Sequence, residues 1–262
     1  MPTMIDIHSH VLPGLDDGSP DLKESLRMLE IAAAAGTTDL VATPHANLQY
    51  GFDPSIVTRK LAELQASAPP TIRLHYGCDL HLTPDNVRDA LANPERYTIN
   101  HRRYLLVEFP DILIPKTTAG IFSSMLEAGI VPVITHPERN FLLHSRLDEL
   151  AGWVAQGCLV QVTAQSFLGR FGSEARAVCK ELMKRGLVHI VASDAHDSKD
   201  RPPRLDLARR HVAKKYGEAA AERLFVSNPR AVLEGEPFPE PGRPWPERRR
   251  TWLKLWPQSS LP

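Results

Sequence analysis

Short runs of apolar and β-branched residues recur along the chain, and seven of them have the length and composition of buried strands. They cover residues 4–7, 40–43, 72–76, 104–107, 131–135, 159–163 and 188–192. Longer segments with helical spacing of their apolar residues separate most of these runs. Such alternation predicts parallel strands joined by helical crossovers, and therefore an α/β fold that is either a doubly wound sheet or a (β/α) barrel.

The segment after the first strand has the clearest helical pattern. Its apolar residues recur at intervals of three and four, at Leu22, Leu26, Leu29 and Ala33. Ser19-Pro20 predicts an N-cap with a first-turn proline, and Gly36 predicts the C-terminal stop. Further helices are predicted over residues 54–66, 117–128, 146–156 and 173–185, the last three ending at a glycine.

From residue 235 onwards the composition becomes rich in proline, arginine and tryptophan. A chain of 262 residues suits one large domain, so we expect residues 1–235 to form it and residues 236–262 to form a tail outside it. The tail either packs its aromatic side chains on the domain or docks on a partner through Trp252, Leu253 and Trp256. The residues themselves do not decide between these alternatives.

Residues that can ligate a metal stand at the carboxyl ends of most predicted strands. The first strand ends in Asp6-Ile7-His8-Ser9-His10, where the alternation of side chains points His8 and His10 to the same side. Parallel barrels bring the carboxyl ends of their strands to one mouth, so residues far apart in sequence are expected to converge. With the acidic loop after the first strand, the candidates are His8, His10, Asp17, His45, Asp79, Glu108, His136, Asp194 and His196.

Nine nitrogen and oxygen donors exceed the needs of one cation and suit two or three divalent ions that share a bridging carboxylate. Imidazole and carboxylate ligands without thiolates favour manganese, zinc or iron. Such clusters typically hydrolyse their substrate, because metal-bound water loses a proton near neutral pH and the hydroxide attacks phosphorus or a carbonyl carbon. The pattern therefore predicts a metal-dependent hydrolase.

Two arginines near the candidate ligands favour a phosphate substrate over an amide. Arg139 and Arg201 each follow a candidate ligand within five residues. Guanidinium groups bind phosphate oxygens in a bidentate manner and stay charged at any relevant pH. The alternative is that each arginine only pairs with a nearby carboxylate such as Glu138 or Asp200.

The bulk composition narrows the choice of partners. The chain carries 31 basic and 31 acidic residues, so its charge gives no reason to expect nucleic acid or an anionic membrane as a partner. Its three cysteines form no CxxC pair, which argues against a disulfide framework and favours the cytoplasm. No apolar stretch approaches the ~18 residues of a membrane span, so membrane insertion is not expected. The sequence carries no signal for an oligomeric state.

Several motifs together carry a resemblance to a known family: IDIHSH (5–10), DDG (16–18), TPH (43–45), LVEF (106–109), GIVPVITHPER (129–139), ASDAH (192–196) and RPP (201–203). They resemble the PHP (polymerase and histidinol phosphatase) superfamily, and most closely its CpsB/CapC type of manganese-dependent tyrosine phosphatase. The likeness runs from about residue 4 to residue 233. It implies a distorted, TIM-like (β/α)7 barrel within residues 1–235 and a trinuclear centre, with Mn²⁺ as the favoured metal and Zn²⁺ or iron as alternatives.

Carried over motif by motif, the resemblance implies a first cation on His8, His10, Asp79 and Asp194, a second on Asp79, Glu108 and His136, and a third on Asp17, His45 and His196. Asp79 departs from the family, whose members often carry a glutamate as the bridging ligand, so the metal spacing there is open. The remaining histidines are expected to be structural or to face solvent, with His189 buried: His75, His81, His101, His144, His189 and His211.

The resemblance also implies an activity, namely hydrolysis of phosphotyrosine on a protein. The expected partner is a bacterial tyrosine autokinase that takes part in regulating capsule or exopolysaccharide synthesis. A metal-bound hydroxide would be the nucleophile, with Arg139 and Arg201 binding the phosphate. Two alternatives stay open: a phosphatase of small molecules such as histidinol phosphate or a sugar phosphate, and an amidohydrolase-like enzyme that cleaves a C–N bond.

Overall fold

The computed structural model describes residues 3–239 and 244–245. Its strands are β1 (Met4–Ser9), β2 (Thr37–Ala42), β3 (His45–Ala46), β4 (Arg73–Tyr76), β5 (Asp79–His81), β6 (Tyr104–Glu108), β7 (Val131–Thr135), β8 (Leu159–Thr163) and β9 (Ile190–Ala192). They form two sheets, one with the order β1-β2-β4 and one with the order β3-β5-β6-β7-β8-β9. Every strand pair is parallel, as the sequence predicts.

All seven predicted strands are present, but two of them are interrupted and then continue as β3 and β5. Pro44 has no amide hydrogen for a ladder and separates β2 from β3. Gly77 lies between β4 and β5, where a Cβ atom would come within 2.8 Å of Val41 Cγ1. These breaks transfer the chain from the smaller sheet to the larger one, and they place His45 beside Asp79 in the ladder.

The helices are α1 (Leu22–Ala35), α2 (Pro54–Ser67), α3 (Pro84–Ala92), α4 (Thr118–Glu127), α5 (Phe141–His144), α6 (Leu147–Gln156), α7 (Ala164–Phe167), α8 (Gly172–Arg185), α9 (Asp206–Tyr216), α10 (Glu218–Glu222) and α11 (Asn228–Glu234). Short 3₁₀ turns cover Pro94–Arg96 and Ile99–His101, and a π-helical turn covers Arg223–Ser227. The five predicted helices are confirmed to within two residues at each end. The others escaped prediction; several are too short to show a clear apolar period.

The predicted start of α1 is wrong by two residues. The N-cap is Asp21, whose carboxylate accepts a 2.8 Å hydrogen bond from the amide of Glu24. Ser19 instead donates its hydroxyl hydrogen to the carbonyl of Asp21. An aspartate satisfies the free amides of a first turn at least as well as a serine, and Gly36 ends the helix in a left-handed conformation, as predicted.

The carboxyl end of β1 is bonded to the segment that follows β9. The amide of Asp194 donates to the carbonyl of His8 at 2.9 Å, and the amide of His10 donates to the carbonyl of Ala195 at 2.8 Å. The buried Asp6 carboxylate accepts from the amide of Ser193 at 2.9 Å. The first and last strands of the chain are therefore joined through backbone and side-chain hydrogen bonds.

One apolar cluster contains side chains from both sheets, including Ile5 and Ile7 of β1, Leu106 of β6 and Ile190 of β9. The inner faces of the two sheets therefore share one core. Two further clusters lie between the strands and the helices that cover them. This packing leaves the loops at the carboxyl ends of the strands free to carry the candidate site.

Part of the predicted tail contacts the domain. The Tyr104 hydroxyl donates to the carbonyl of Glu236, and the ring centroid of Phe238 lies 5.7 Å from that of His189. The amide of Trp245 donates to the carbonyl of Met183. Trp252, Leu253 and Trp256, which carried the docking alternative, lie outside the described residues.

His189 yields a prediction about acid stability. It is buried, as expected, and its Nδ1 accepts a 3.1 Å hydrogen bond from the amide of Val160. Burial lowers its pKa from 6.5 to about 4. Below pH 6.5 the unfolded chain therefore binds a proton that the folded protein excludes, so the free energy of unfolding falls as the pH drops towards 4, by up to about 3 kcal/mol.

The replacement His189→Asn keeps an acceptor for Val160 and removes the titration. We expect its unfolding free energy, measured with urea, to decrease less than that of the wild type when the pH is lowered from 6.5 to 4. Every other titratable group is present in both proteins. The difference between their plots of unfolding free energy against pH therefore reports on His189 alone. Parallel curves would contradict the prediction.

Candidate metal centre

The nine predicted ligands converge at the carboxyl ends of the strands. Their ligating atoms form overlapping groups in which all atoms lie within 4.8 Å of one another. These groups are His10 with Asp17, His45 and His196; His8 with His10 and Asp79; His8 with His136 and Asp194; and His45 with Asp79, His81 and Glu108. Candidate ligands as far apart in sequence as His8 and His196 are thus brought together at the ends of six predicted strands and one loop.

His8 and His10 form the centre of this arrangement. Their Nε2 atoms are 3.2 Å apart, and each is 3.4 Å from Oδ1 of Asp194. Their other ring nitrogens are held from behind: His8 Nδ1 lies 3.0 Å from Gln161 Oε1, and His10 Nδ1 lies 2.7 Å from Asp16 Oδ2. Such outer hydrogen bonds set the ring orientation and leave Nε2 for a metal.

The predicted grouping by cation is only partly reproduced by the distances. Asp17, His45 and His196 lie together, joined by His10. His136 shares one group with His8 and Asp194, while its Nε2 also lies 3.4 Å from Glu108 Oε1. Asp79 lies with His8 and His10 on one side and with His45 on the other, a position that suits a bridging carboxylate.

Asp194 and His136 have an uncommon backbone conformation. Their φ angles are 51° and 32°, in the left-handed region that residues other than glycine rarely adopt. Strained conformations of this kind persist where the surrounding structure over-determines them, and they cluster at functional sites. Here the hydrogen bond from the Asp194 amide to His8 contributes to that constraint.

Both predicted phosphate-binding arginines contact Asp194. Arg201 Nη2 lies 2.6 Å from Asp194 Oδ2, and Arg139 pairs with the same oxygen. Glu138, the partner in the alternative interpretation, instead accepts hydrogen bonds from the Thr163 amide and the Ser166 hydroxyl. One carboxylate oxygen of Asp194 thus faces the histidines and the other faces the arginines.

Buried ligand atoms without a hydrogen bond test whether cations fit this site. Both carboxylate oxygens of Asp79 are buried and unpartnered, and so are His45 Nδ1 and Glu108 Oε2. A buried polar atom without a partner costs free energy, and a buried charge costs more. Divalent cations would satisfy these atoms, so the residues fit the predicted centre.

The electrostatics keep the Asp194 carboxylate ionised and two of the histidines, His136 and His196, neutral. Burial alone would raise the pKa of Asp194, but His8 and Arg139 hold it well below its ordinary value. Burial lowers the pKa of His196 to about 4, with help from His10, and it lowers the pKa of His136 well below 6.5. Ionised carboxylates and neutral imidazoles are the forms that bind metals.

A polar cavity of about 250 Å³ adjoins the cluster. Its lining comprises Glu108, Phe109, Asp111, Thr135, His136, Arg139 and Asn140. Beside it, the ring of Phe171 lies 4.3 Å from the guanidinium carbon of Arg139 and 5.9 Å from that of Arg201. Phe171 therefore borders the site, whereas Phe167 is buried in the core.

The family relationship agrees with this geometry. Residues 4–234 match the family described as capsular polysaccharide synthesis, CpsB/CapC. The chain belongs to the CpsB/CapC family. Family members include CapC of Staphylococcus aureus, 36% identical over 89% of this chain and 92% of that protein, and the tyrosine-protein phosphatase YwqE of Bacillus subtilis, 32% identical over 94% and 98%.

A solved structure of the family has the same architecture. It comes from work on YwqE of Bacillus subtilis and CpsB of Streptococcus pneumoniae, which are described as metal-dependent tyrosine phosphatases. The two structures align with a TM-score of 0.84 at 30% identity, covering 94% of this chain and all of the other. The family resemblance deduced from the motifs is therefore confirmed.

Sequence reasoning missed the roles of two residues in this CpsB/CapC protein. Asp17 is the predicted ligand of the DDG motif, yet its neighbour Asp16 orients His10 and accepts a hydrogen bond from the His45 amide at 3.1 Å. His81 was assigned a structural or solvent-facing role, but it lies among the candidate ligands. The strand alternation that pairs His8 with His10 also pairs Asp79 with His81, and this signal could have identified it.

Gly18 yields a prediction about the ligand His10. A Cβ atom on Gly18 would lie 2.2 Å from the carbonyl oxygen of His10 and 2.4 Å from its Cβ. Gly18→Ala must therefore displace His10. We expect it to weaken divalent-metal binding, measured by calorimetry, by at least ~10-fold.

The matched control is Gly51→Ala, since a Cβ atom at Gly51 meets nothing within 4 Å. It should bind metal as the wild type does. Equal metal affinity of the two variants would show that Gly18 does not support His10.

Proposed function

We propose that this protein is a metal-dependent protein-tyrosine phosphatase. The observation that carries the proposal is the contact of Arg139 and Arg201 with Asp194, which puts two permanent positive charges beside the candidate metal ligands and next to a cavity. Membership of the CpsB/CapC family supports it, because relatives such as YwqE are named tyrosine-protein phosphatases. Phosphate monoesters are the substrates that this combination of charges suits.

The two sheets together form, in this proposal, one distorted (β/α)7 barrel. The hydrogen bonds between the end of β1 and residues 193–195 support its closure on one side. On the other side, the Asp79 amide donates to the carbonyl of Pro44, where the chain passes between the sheets. A barrel accounts for the common core and for the convergence of nine side chains at one mouth.

Two or three divalent ions would be held by the predicted ligands, with Mn²⁺ as the favoured metal. The unpartnered atoms of Asp79, Glu108 and His45 support this assignment. When bound, such ions activate water near neutral pH and neutralise charge on phosphoryl oxygens. The chain contributes the fixed orientation of His8 and His10, which Gln161 and Asp16 hold from behind.

Arg139 and Arg201 would bind the phosphate oxygens. Their side chains are 23% and 25% exposed, so they are accessible at the mouth while Asp194 beneath them is buried. The ring of Phe171 makes cation–π contacts with both guanidinium groups, at 4.3 Å from that of Arg139 and 5.9 Å from that of Arg201. Guanidinium groups that are already positioned before the substrate binds reduce the entropic cost of aligning the phosphate.

The substrate would be phosphotyrosine on a protein, with a tyrosine autokinase of polysaccharide synthesis as the partner. The 250 Å³ cavity beside Arg139 has room for a phenyl ring. The amidohydrolase alternative is disfavoured because Asp79 and Glu108 stand at the strand ends where those enzymes usually carry a carbamylated lysine.

The cytoplasmic location stays a prediction, supported by three buried, free cysteines. Within the described residues, no helix combines the length and the apolar composition needed to cross a membrane.

Replacement of the arginines tests their role. Arg139→Ala and Arg201→Ala should each lower kcat/KM for a phosphotyrosine peptide by about 10²-fold, because each removes a charged donor to the phosphate. The metal content, measured by mass spectrometry, should stay at the wild-type value.

The control for these variants is Arg204→Ala, since Arg204 pairs with Asp206 at 2.9 Å. It should retain wild-type kinetics. If the Arg139 and Arg201 variants also retained them, the phosphate-binding role would be wrong.

The substrate class is tested with purified protein loaded in turn with manganese, zinc and iron. We expect the highest kcat/KM for phosphotyrosine peptides, compared with phosphoserine peptides, histidinol phosphate and sugar phosphates. Asp194→Asn, which removes a central ligand, serves as the inactive control. Equal or faster turnover of the small metabolites would favour the small-molecule alternative over the proposed function.

A further inference from the structure

His81 occupies the same kind of position as the predicted ligands. It ends β5, two residues after Asp79, so the two side chains lie on the same face of the strand. In the parallel ladders, Asp79 is the partner of His45, and His81 is the partner of Glu108. The register therefore places His81 beside Glu108, two residues further along β5 than the pair of Asp79 with His45.

The imidazole of His81 points into the cluster. Its Nε2 lies 2.5 Å from Oε2 of Glu108, but the two atoms are not oriented as hydrogen-bond partners, and both are buried. The ring centroid of His81 is 5.2 Å from that of His45. The side-chain Nδ2 of Asn86 donates to the carbonyls of His81 and Ala46, which fixes the backbone of β5 against β3.

Several buried side-chain atoms around His81 form no hydrogen bond. His81 Nε2, Glu108 Oε2, His45 Nδ1 and both oxygens of Asp79 are all buried without a hydrogen bond. An ion pair between His81 and Glu108 would satisfy two of these atoms, and Oδ2 of Asp79 lies 3.2 Å from His45 Nδ1 and 3.5 Å from His8 Nε2, but Oδ1 of Asp79 would still be buried without a hydrogen bond. A cation among them would satisfy the whole group, since imidazole nitrogen and carboxylate oxygen suit manganese and zinc.

We propose that His81 is a metal ligand, which binds through Nε2 the cation held by Asp79 and Glu108. His45 borders the same position: its Nδ1 lies 3.2 Å from Oδ2 of Asp79 and 3.5 Å from Oε2 of Glu108, while its Nε2 lies 3.4 Å from Asp17, where the third predicted cation lies. Glu108 presents Oε1 to His136 and Oε2 to His81, so imidazoles flank it on both sides.

This inference rests on the metal centre of the proposed function but not on phosphotyrosine as the substrate. The test is therefore metal binding itself. His81→Gln keeps a side-chain donor for Glu108 but offers a poor metal ligand. Manganese titration by calorimetry should show one class of sites weakened by about 10- to 100-fold, and metal analysis after dialysis should show one equivalent fewer than in the wild type.

The matched control is His101→Gln. His101 is an exposed histidine that precedes β6, at the opposite end of that strand from the site. It should bind manganese as the wild type does. Unchanged manganese affinity and stoichiometry in His81→Gln would overturn the proposal and leave His81 as an ion-pair partner of Glu108.

A second measurement does not depend on how the variant folds. Crystals of the wild-type protein loaded with zinc should show an anomalous peak about 2.1 Å from His81 Nε2, the usual zinc–nitrogen distance. Zinc bound to Asp79 and Glu108 without His81 would overturn this inference and leave the proposed function intact. Zinc on His81 in a protein that does not hydrolyse phosphotyrosine would instead overturn the proposed function alone.

Discussion

The junction between the two ends of the domain is the interaction on which the site depends. Backbone hydrogen bonds join His8 to Asp194 and His10 to Ala195, and the buried Asp6 carboxylate adds a bond to the Ser193 amide. Without these bonds, His8 and Asp194, which are more than 180 positions apart in the sequence, would not be held next to each other. The bond to His8 also helps to hold Asp194 at a φ angle of 51°, from which its carboxylate reaches the histidines.

Asp194 connects the two functions of the site. One of its oxygens faces His8 and His10, and the other contacts Arg139 and Arg201. The arginines help to keep the pKa of this acid low despite its burial, so the groups proposed to bind phosphate also support the metal ligand. The side chain of Asp194 therefore contacts both the candidate metal ligands and the two arginines.

Much of this site could be predicted because most of the candidate ligands lie at the carboxyl ends of strands. The runs that form the strands are apolar and short, and parallel strands bring their carboxyl ends together. His81 was missed because a histidine considered alone is more often structural than ligating. Asp16 was missed because its neighbour Asp17 matched the motif, and only the distances reveal that Asp16 supports the ring of His10.

The sequence by itself determined the α/β class, the strand segments, the boundaries of five helices to within two residues and the residue types of a metal-dependent phosphatase. These properties follow from local periodicity, from capping residues and from motifs that are contiguous in the chain. Only the tertiary structure decided which nitrogen faces which carboxylate, that the arginines pair with Asp194, and that His81 lies beside Glu108. Those relations depend on the register between strands and on the breaks at Pro44 and Gly77, which no local pattern specifies.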